Sequence, residues 1–467
     1  MWLGPAYYLS VFSLFLIIIS IFALNFNFSL RYKFLSIKKN LNLFLYFFII
    51  LSAFLLNWLY LIFLISQELN IYFNTINIYA FPFVFIFIFI TALSVIFCLS
   101  YNKNETALFL FYCLSILLIG FNLFLTNDLI FFFLIYEMLL IPSFFILYKF
   151  AKTRRAVEAA YLMFFWTQFG AIFLIFIFFY FFLITNSTNF DLILAFNFNS
   201  FESNLGIIFF LIGFGVKFPI WPFYGWLPKA HVEASTNFSI FLSGVLVKFA
   251  FFAFIKCYYL VNAEPTTLLI VPILVIGVLD SSFKLSYQID LKKIVAYSTV
   301  IEMHWLCLSI LSGLTPIFLA GFCMLVSHAF LSTNFFLLVD TINRRYKTRL
   351  VTEINSLGLL NTKLFILILI NLLIFLGFPG SLFFIAEILF FTFLIDFSFE
   401  ISIIFLIILY LIVPTLFFKS WWPITSGCSI NLNKPLKNDL DSKELLLIST
   451  LTFVLFWLGF SWQLFLF

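Results

Sequence analysis

The chain has 467 residues, 64% hydrophobic and 10% charged, with a mean hydropathy of +1.17 and a formal net charge of +5. That leaves too little polar surface to cover a soluble globule of this size, and apolar runs of about 18 or more residues recur throughout. The basic residues sit in loops rather than along one helix face. Their excess therefore orients the chain in a membrane and implies no nucleic-acid partner.

In chain order, the expected spans are 5–27, 43–65, 79–100, 106–126, 129–149, 160–185, 206–227, 237–258, 268–288, 291–311, 314–341, 362–396, 400–418 and 446–466. The pattern predicts an all-α polytopic membrane protein of about fourteen helices, because barrel strands would alternate over about 10 residues instead. The first stretch lacks a basic leader region and a small-residue cleavage site, so it is expected to stay as a retained helix. The 76 phenylalanines stand where Leu or Val would serve as well and point to nucleotide bias in an AT-rich, organelle-encoded gene. Six cysteines (Cys98, Cys113, Cys257, Cys307, Cys323, Cys428) form no spacing that holds zinc, haem or an iron–sulfur cluster. The chain is expected to bind no cofactor or metal of its own.

Two spans are interrupted. The seventh contains GFGVKFPIWP and the twelfth LGFPGS, where Pro219 and Pro379 remove backbone hydrogen bonds and break the helix. Basic clusters follow the odd spans: 31–39, Lys103, Lys149 to Arg155, Lys292 and Lys293, Arg344 to Arg349, then Lys419, Lys434 and Lys437. Connections after even spans are nearly free of them, which puts both termini on the less positive side. Breaks five helices apart predict two five-helix units, helices 4–8 (106–258) and 9–13 (268–418), the second inverted because the unit is odd-numbered. Flanking them would be helices 1–3 (1–105) and a C-terminal loop and helix (419–467), all within a single membrane domain. Inverted repeats with one broken helix each are how transporters build ion sites at mid-membrane.

Ionisable residues inside the spans carry the functional signal, since a charge near the bilayer centre costs about 2.5–3.5 kcal/mol on insertion scales. Glu137 has apolar neighbours on both sides except Tyr136, Lys217 stands at the first break, Lys248 is mid-helix, and Glu387 follows the second break. Burial penalises an ammonium and a nearby carboxylate stabilises it, so a lysine whose acidic partner approaches and leaves is a proton switch. His328 is a titratable group in an apolar helix, suited to relay work near neutrality. Glu302 and His304 add an acid and a base to the tenth span, and Lys284 follows Asp280 at the spacing of an intrahelical pair. The alternative reading of the buried Glu and Lys residues is a static ion pair holding helices together, and of His328 a hydrogen-bonded packing residue. No Gly-rich phosphate loop, Ser/His/Asp arrangement or HExxH occurs, so hydrolytic chemistry has no support.

WLPKAHVEA (226–234), preceded by Lys217, Phe218 and Pro219, resembles the antiporter-like membrane subunits of respiratory complex I, NADH:ubiquinone oxidoreductase, in the mitochondrially encoded form and of the subunit 4 type. LIYEMLLIPSFFI (134–146), RRAVEAAYLMFFWTQFGAIFL (154–174), DLKKIVAYSTV (290–300), SHAFLSTNFFLLVDTINRRYKTR (327–349) and GFPGSLFFIAEILF (377–390) follow in family order. The resemblance covers residues 100–420 and implies a proton channel through Glu137, Lys217, Lys248, His328 and Glu387, with Glu302, His304 and Lys284 as secondary relay candidates. Pro219, Pro228, Lys229, His231, Glu233 and Pro379 would be its structural markers. It further implies that NADH, FMN, iron–sulfur clusters and ubiquinone belong to the whole complex and not to this chain. The implied partners are neighbouring membrane-arm subunits (antiporter-like subunits 2 and 5 and accessory subunits) and lipids such as cardiolipin. The implied location is the mitochondrial inner membrane, with the basic loops on the matrix side and both termini facing the intermembrane space. A stand-alone cation/proton antiporter of the same fold is the alternative. The sequence departs from the family at Glu302, where a His is common, and at Ser235, where a Pro is common; His304 lies about 200° round the helix from Glu302.

Overall fold

The computed structural model describes residue 90 and residues 103–151, 153–261, 267–312, 315–354, 357–397, 399–426 and 439–461. The first two expected spans, nearly all of the third, and the loop carrying Lys434 and Lys437 lie outside the described residues. The chain divides into two compact units, residues 1–79 with 101–114, and residues 80–100 with 115–467. Of the first unit only the helical stretch 103–114 is described.

The described chain is helical throughout. Its main elements are α1 (Lys103–Leu125), α2 (Leu129–Lys149), α3 (Arg154–Thr185), α4 (Ser200–Lys217), the short α5 (Trp226–Glu233), α6 (Thr236–Leu260) and α7 (Thr267–Ser286). There follow α8 (Leu291–Leu311), α9 (Thr315–Tyr346), α10 (Thr362–Phe375), α11 (Leu382–Phe397), α12 (Phe399–Ser426) and α13 (Ser442–Phe460). Each expected span from 106 onward is helical, the seventh and the twelfth as two helices on either side of their breaks, because each is an apolar run bounded by caps and turns. Eight helices of the described residues are long and apolar enough to cross a membrane.

The helix starts follow from short polar side chains. Asp128 accepts the Ile130 and Phe131 amides at 2.9 and 3.2 Å, Thr153 accepts that of Ala156, and Asp290 that of Lys292 at 2.9 Å. Asn186 ends α3 in the left-handed region, at φ 51°.

One succession occurs twice. A helix capped by an aspartate (Asp128, Asp290) leads into a helix of 32 residues (α3, α9), and the loop after that long helix returns to the capping aspartate through an isolated antiparallel bridge, Asp128 with Asn189 and Asp290 with Leu350. A broken helix comes next, then a helix with a five-residue π segment, Leu242–Leu246 in α6 and Ile408–Ile412 in α12. The first break is an extended turn from Phe218 (φ −92°, ψ 90°), and the second turns on Gly377 and Gly380 at φ 74° and 90°. Neither π segment announces itself in the sequence. Such segments are rare and tend to occur at functional positions.

The apolar stretches of α6 and α9 are buried along their whole length and that of α8 nearly so, whereas α2, α3 and α13 expose more than half of theirs. The core is therefore α6, α8 and α9, and polar side chains on these three helices face protein.

Candidate functional site

The ionisable residues fall into two clusters. In the first, Lys217, the last residue of α4, reaches α2, where its ammonium sits 2.9 Å from Glu137 Oε1, donates to the Tyr136 carbonyl at 3.1 Å and lies 3.7 Å from the centroid of the Tyr136 ring. Lys217 is 4% exposed. Gln168 of α3 donates Nε2 to the other carboxylate oxygen of Glu137 at 3.1 Å. Three helices thus converge on one carboxylate, and the break after Lys217 frees its end of α4 to turn inwards.

The second cluster joins the core helices to the second break. Lys248 is fully buried on α6 and donates to the carbonyl of Ser243, in the π segment, where carbonyls depart from the regular ladder. Ser243 is also bonded to Ser332 of α9 at 3.3 Å. One turn before Ser332 on α9, His328 Nδ1 is in short contact with Glu302 Oε2 of α8, and its Nε2 is buried with no hydrogen-bond partner among the described residues. Glu302 is close enough to Lys248 and Glu387 to interact with both electrostatically. Glu387 of α11 is 4% exposed and interacts with Tyr410, while its Oε2 has no hydrogen-bond partner among the described residues and occupies the space a side chain on Gly377 would need.

Glu302 is thus the hub of the second cluster, facing a histidine, a lysine and a carboxylate. His304 stands apart from it. Its Nδ1 faces the Val300 carbonyl at 2.8 Å and its Nε2 accepts the Trp221 amide at 2.9 Å, so both ring nitrogens are committed. Lys284 forms the intrahelical pair with Asp280 at 2.8 Å and donates to the Tyr224 hydroxyl at 2.9 Å, but its side chain is 49% exposed. His304 and Lys284 both fasten the segment after the first break to α7 and α8.

The WLPKAHVEA string forms α5. Pro228 and His231 are buried, His231 stacks on Phe336 at 4.8 Å, Lys229 is exposed, and Glu233 accepts from Thr153 at 3.0 Å. The carbonyls at the end of α5 are bonded by cations: Arg349 to Val232 at 3.0 Å and Lys292 to Ala234 at 2.7 Å. Those cations complement the negative end of the helix. Sequence reasoning read both only as loop charges that set orientation. It also missed Gln168 and Tyr410. Gln168 is a lone amide in an apolar helix, a signal that was available; Tyr410 has none, because an interfacial tyrosine looks the same.

Residues 126–414 match the family described as NADH:quinone oxidoreductase/Mrp antiporter, transmembrane. A chain named NADH-ubiquinone oxidoreductase chain 4 from Paramecium tetraurelia is 37% identical over 69% of this chain and 68% of its own length. One of the same name from Marchantia polymorpha is 31% identical over 62% of this chain and 58% of its own. Among solved structures, a chain of the Mrp complex from Dietzia sp. superposes with a TM-score of 0.70 at 16% identity, covering 82% of this chain and 81% of that one. A chain of respiratory complex I from Thermus thermophilus gives 0.68 at 20% identity, over 80% and 79%. At these identities the structures establish the antiporter-like fold.

Proposed function

We propose, on the premise that this chain belongs to the NADH:quinone oxidoreductase/Mrp antiporter family, that it is the proton-translocating, antiporter-like subunit 4 of complex I. It would serve as a subunit of an H⁺-translocating NADH:ubiquinone reductase, beside other membrane-arm subunits, in the mitochondrial inner membrane with its basic loops facing the matrix. The observation that carries the reading is the pair of buried Lys217 with partly buried Glu137, at 2.9 Å, beside a broken helix.

In this reading the proton resides on Lys217 while Glu137 is near. When charge in a neighbouring subunit draws Glu137 away, the ammonium loses its partner and gives up the proton through water towards Lys248. From there it passes to the His328–Glu302 pair, whose unpartnered Nε2 is a free acceptor or donor site, and on to Glu387 at the second break. Glu302 takes the place of the histidine common in the family and supplies the proton-carrying group on α8. Every step is a protonation change, and electron transfer belongs to other subunits.

Lys217→Ala in the assembled complex tests this. Protons pumped per NADH are expected to fall with NADH-oxidising complexes still present on native gels, and unchanged pumping sinks the relay. Cation transport by the purified chain in liposomes would favour the stand-alone antiporter instead. Loss of assembly without loss of pumping in the surviving complexes would mark the pair as structural.

A further inference from the structure

The helix α13 carries none of the proposed relay groups, yet both of its ends are fixed to the second broken helix. Just before it, Asp439 accepts the amides of Lys363 and Leu364, at the start of α10, at 2.8 and 3.3 Å. Arg345 of α9 donates to the Asp439 carbonyl at 3.0 Å and bonds the Glu444 carboxylate, whose other oxygen lies 3.9 Å from Arg344. Glu444 is 9% exposed and also accepts the Asp441 amide at 3.3 Å, closing the cap of α13. The starts of α10 and α13 and the end of α9 are therefore fastened together.

The other end of α13 lies against the break. From Ser442 to Gly459 is about 26 Å at about 1.5 Å per residue and α10 is about 20 Å long, so α13 runs beside α10 and reaches past it to the first residues of α11. There the backbones touch: a Cβ on Gly459 would meet the Gly380 carbonyl oxygen and stand 2.7 and 2.8 Å from the Ser381 carbonyl carbon and the Leu382 nitrogen. Phe456, one turn earlier, stands edge-on to Phe378 with centroids 6.2 Å apart. Ser381 caps α11, accepting the Phe384 amide at 3.2 Å and donating to the Phe378 carbonyl at 2.8 Å. Glu387 follows on the second turn of α11. The seat of Gly380–Leu382 on α13 therefore decides where its carboxylate stands.

We propose that α13 is a splint across the second broken helix, and that Gly459 and Glu444 are positioning residues for Glu387. Glu444 holds the splint to the start of α10, and Gly459 seats the start of α11 on it, which leaves the turn at Gly377 between two fixed points. The inference rests on the relay reading, in which Glu387 is the last group. Glu387 lies against Gly377, interacts with Tyr410 of α12 and is within electrostatic reach of Glu302 on α8, so a displacement of α11 changes all three relations at once. A side chain at position 459 has only backbone to push against, and no change of rotamer relieves it. Close-packed helices transmit such strain instead of absorbing it.

The test compares Gly459→Ala, Glu444→Gln and Glu444→Asp in the assembled complex, in sealed membranes at equal amounts of complex. Gly459→Ala is expected to lower the NADH-driven pumping rate about tenfold or more, as small misplacements of a reacting group do. It is also expected to move the pH of half-maximal pumping by about half a unit or more, since its surroundings set the protonation of Glu387. Glu444→Gln is expected to do both more weakly and to speed amide exchange over 381–387 with no change over 218–225, while Glu444→Asp restores most of the rate. Its effect on α11 has to travel about 26 Å along α13. A normal rate or an unshifted pH profile in either Gly459→Ala or Glu444→Gln overturns the proposal and makes α13 a structural helix only. If Gly459→Ala does not assemble, Glu444→Gln decides by the same two readouts. Lys217→Ala in the same membranes separates the two readings: normal pumping refutes the relay itself, and an inactive Lys217→Ala beside a normal Glu444→Gln refutes the splint alone.

Discussion

Glu137→Gln tests the first cluster with the smallest change of shape. The amide oxygen still accepts from Lys217 Nζ at the position of Oε1, and Gln168 keeps a bond to the new amide nitrogen by turning its own amide over, since each side chain has one donor end and one acceptor end. Packing and assembly are therefore expected to survive. What disappears is the counter-ion of an ammonium that is 4% exposed and otherwise held by one carbonyl and one aromatic face. Removing one partner of a buried pair costs about 3–5 kcal/mol. At about 1.4 kcal/mol per tenfold, the lower end corresponds to roughly a hundredfold loss in the population of the proton-carrying state. NADH oxidation coupled to pumping, measured in sealed membranes at equal amounts of complex, is expected to fall by about that factor, with Glu137→Asp in between. Coupled rates within about twofold of the unsubstituted complex would refute the reasoning, because the pair would then be static.

The second cluster predicts non-additivity: Glu302→Gln and His328→Asn should each depress pumping, and the double variant should be no worse than the poorer single one, as expected of groups acting as a unit. His304→Asn should behave differently, losing about 1–3 kcal/mol of stability through the orphaned Trp221 amide while surviving complexes pump normally; thermal loss of complex on native gels and pumping per complex read the two separately. Gly377→Ala puts a methyl group 2.4 Å from Glu387 Oε2 at a residue with φ 74°, adding backbone strain of about 1–2 kcal/mol, and is expected to abolish pumping in complexes that assemble. Amide hydrogen exchange should be faster over 376–381 than over 218–225, and the reverse order would mean that the second break is the more tightly held of the two.

The helices were legible because a bilayer demands about 20 consecutive apolar residues and the loops carry their charge in phase. Glu137 and Lys217 were legible for the same reason, since each interrupts such a run. Their pairing across α2 and α4 was not, because neighbours from different helices leave no mark in sequence spacing. Glu302 illustrates the limit. Read by comparison with its family it was a departure, yet on α8 it faces His328 and lies near Lys248 and Glu387. His304 looked like a relay base of equal standing, but its direction, about 200° round the helix, points it at the break in α4. The π segments could not be anticipated: LSGVL (Leu242–Leu246) and ILYLI (Ile408–Ile412) carry no residue pattern that distinguishes a π turn from an α turn.

The two breaks are built on different physical principles. The first is fastened by hydrogen bonds: Trp221 to His304, Trp226 Nε1 to the Val216 carbonyl at 2.8 Å, and Tyr224 to Asp280 and Lys284. With the segment beyond Lys217 tied at these points, separation of Lys217 from Glu137 has to come from the side chains, and Lys217 has four rotatable bonds with which to swing. Among the described residues the second break has no such hydrogen bonds to neighbouring helices. It turns on two glycines in the left-handed region, and its contact with α13 is close packing, with Gly459 leaving room for the Gly380 carbonyl. A hinge made of glycine and packing opens at lower cost than one locked by buried hydrogen bonds. Backbone movement in the proposed cycle therefore belongs at Gly377–Gly380, beside Glu387, whose Oε2 lies against Gly377 with no hydrogen-bond partner among the described residues.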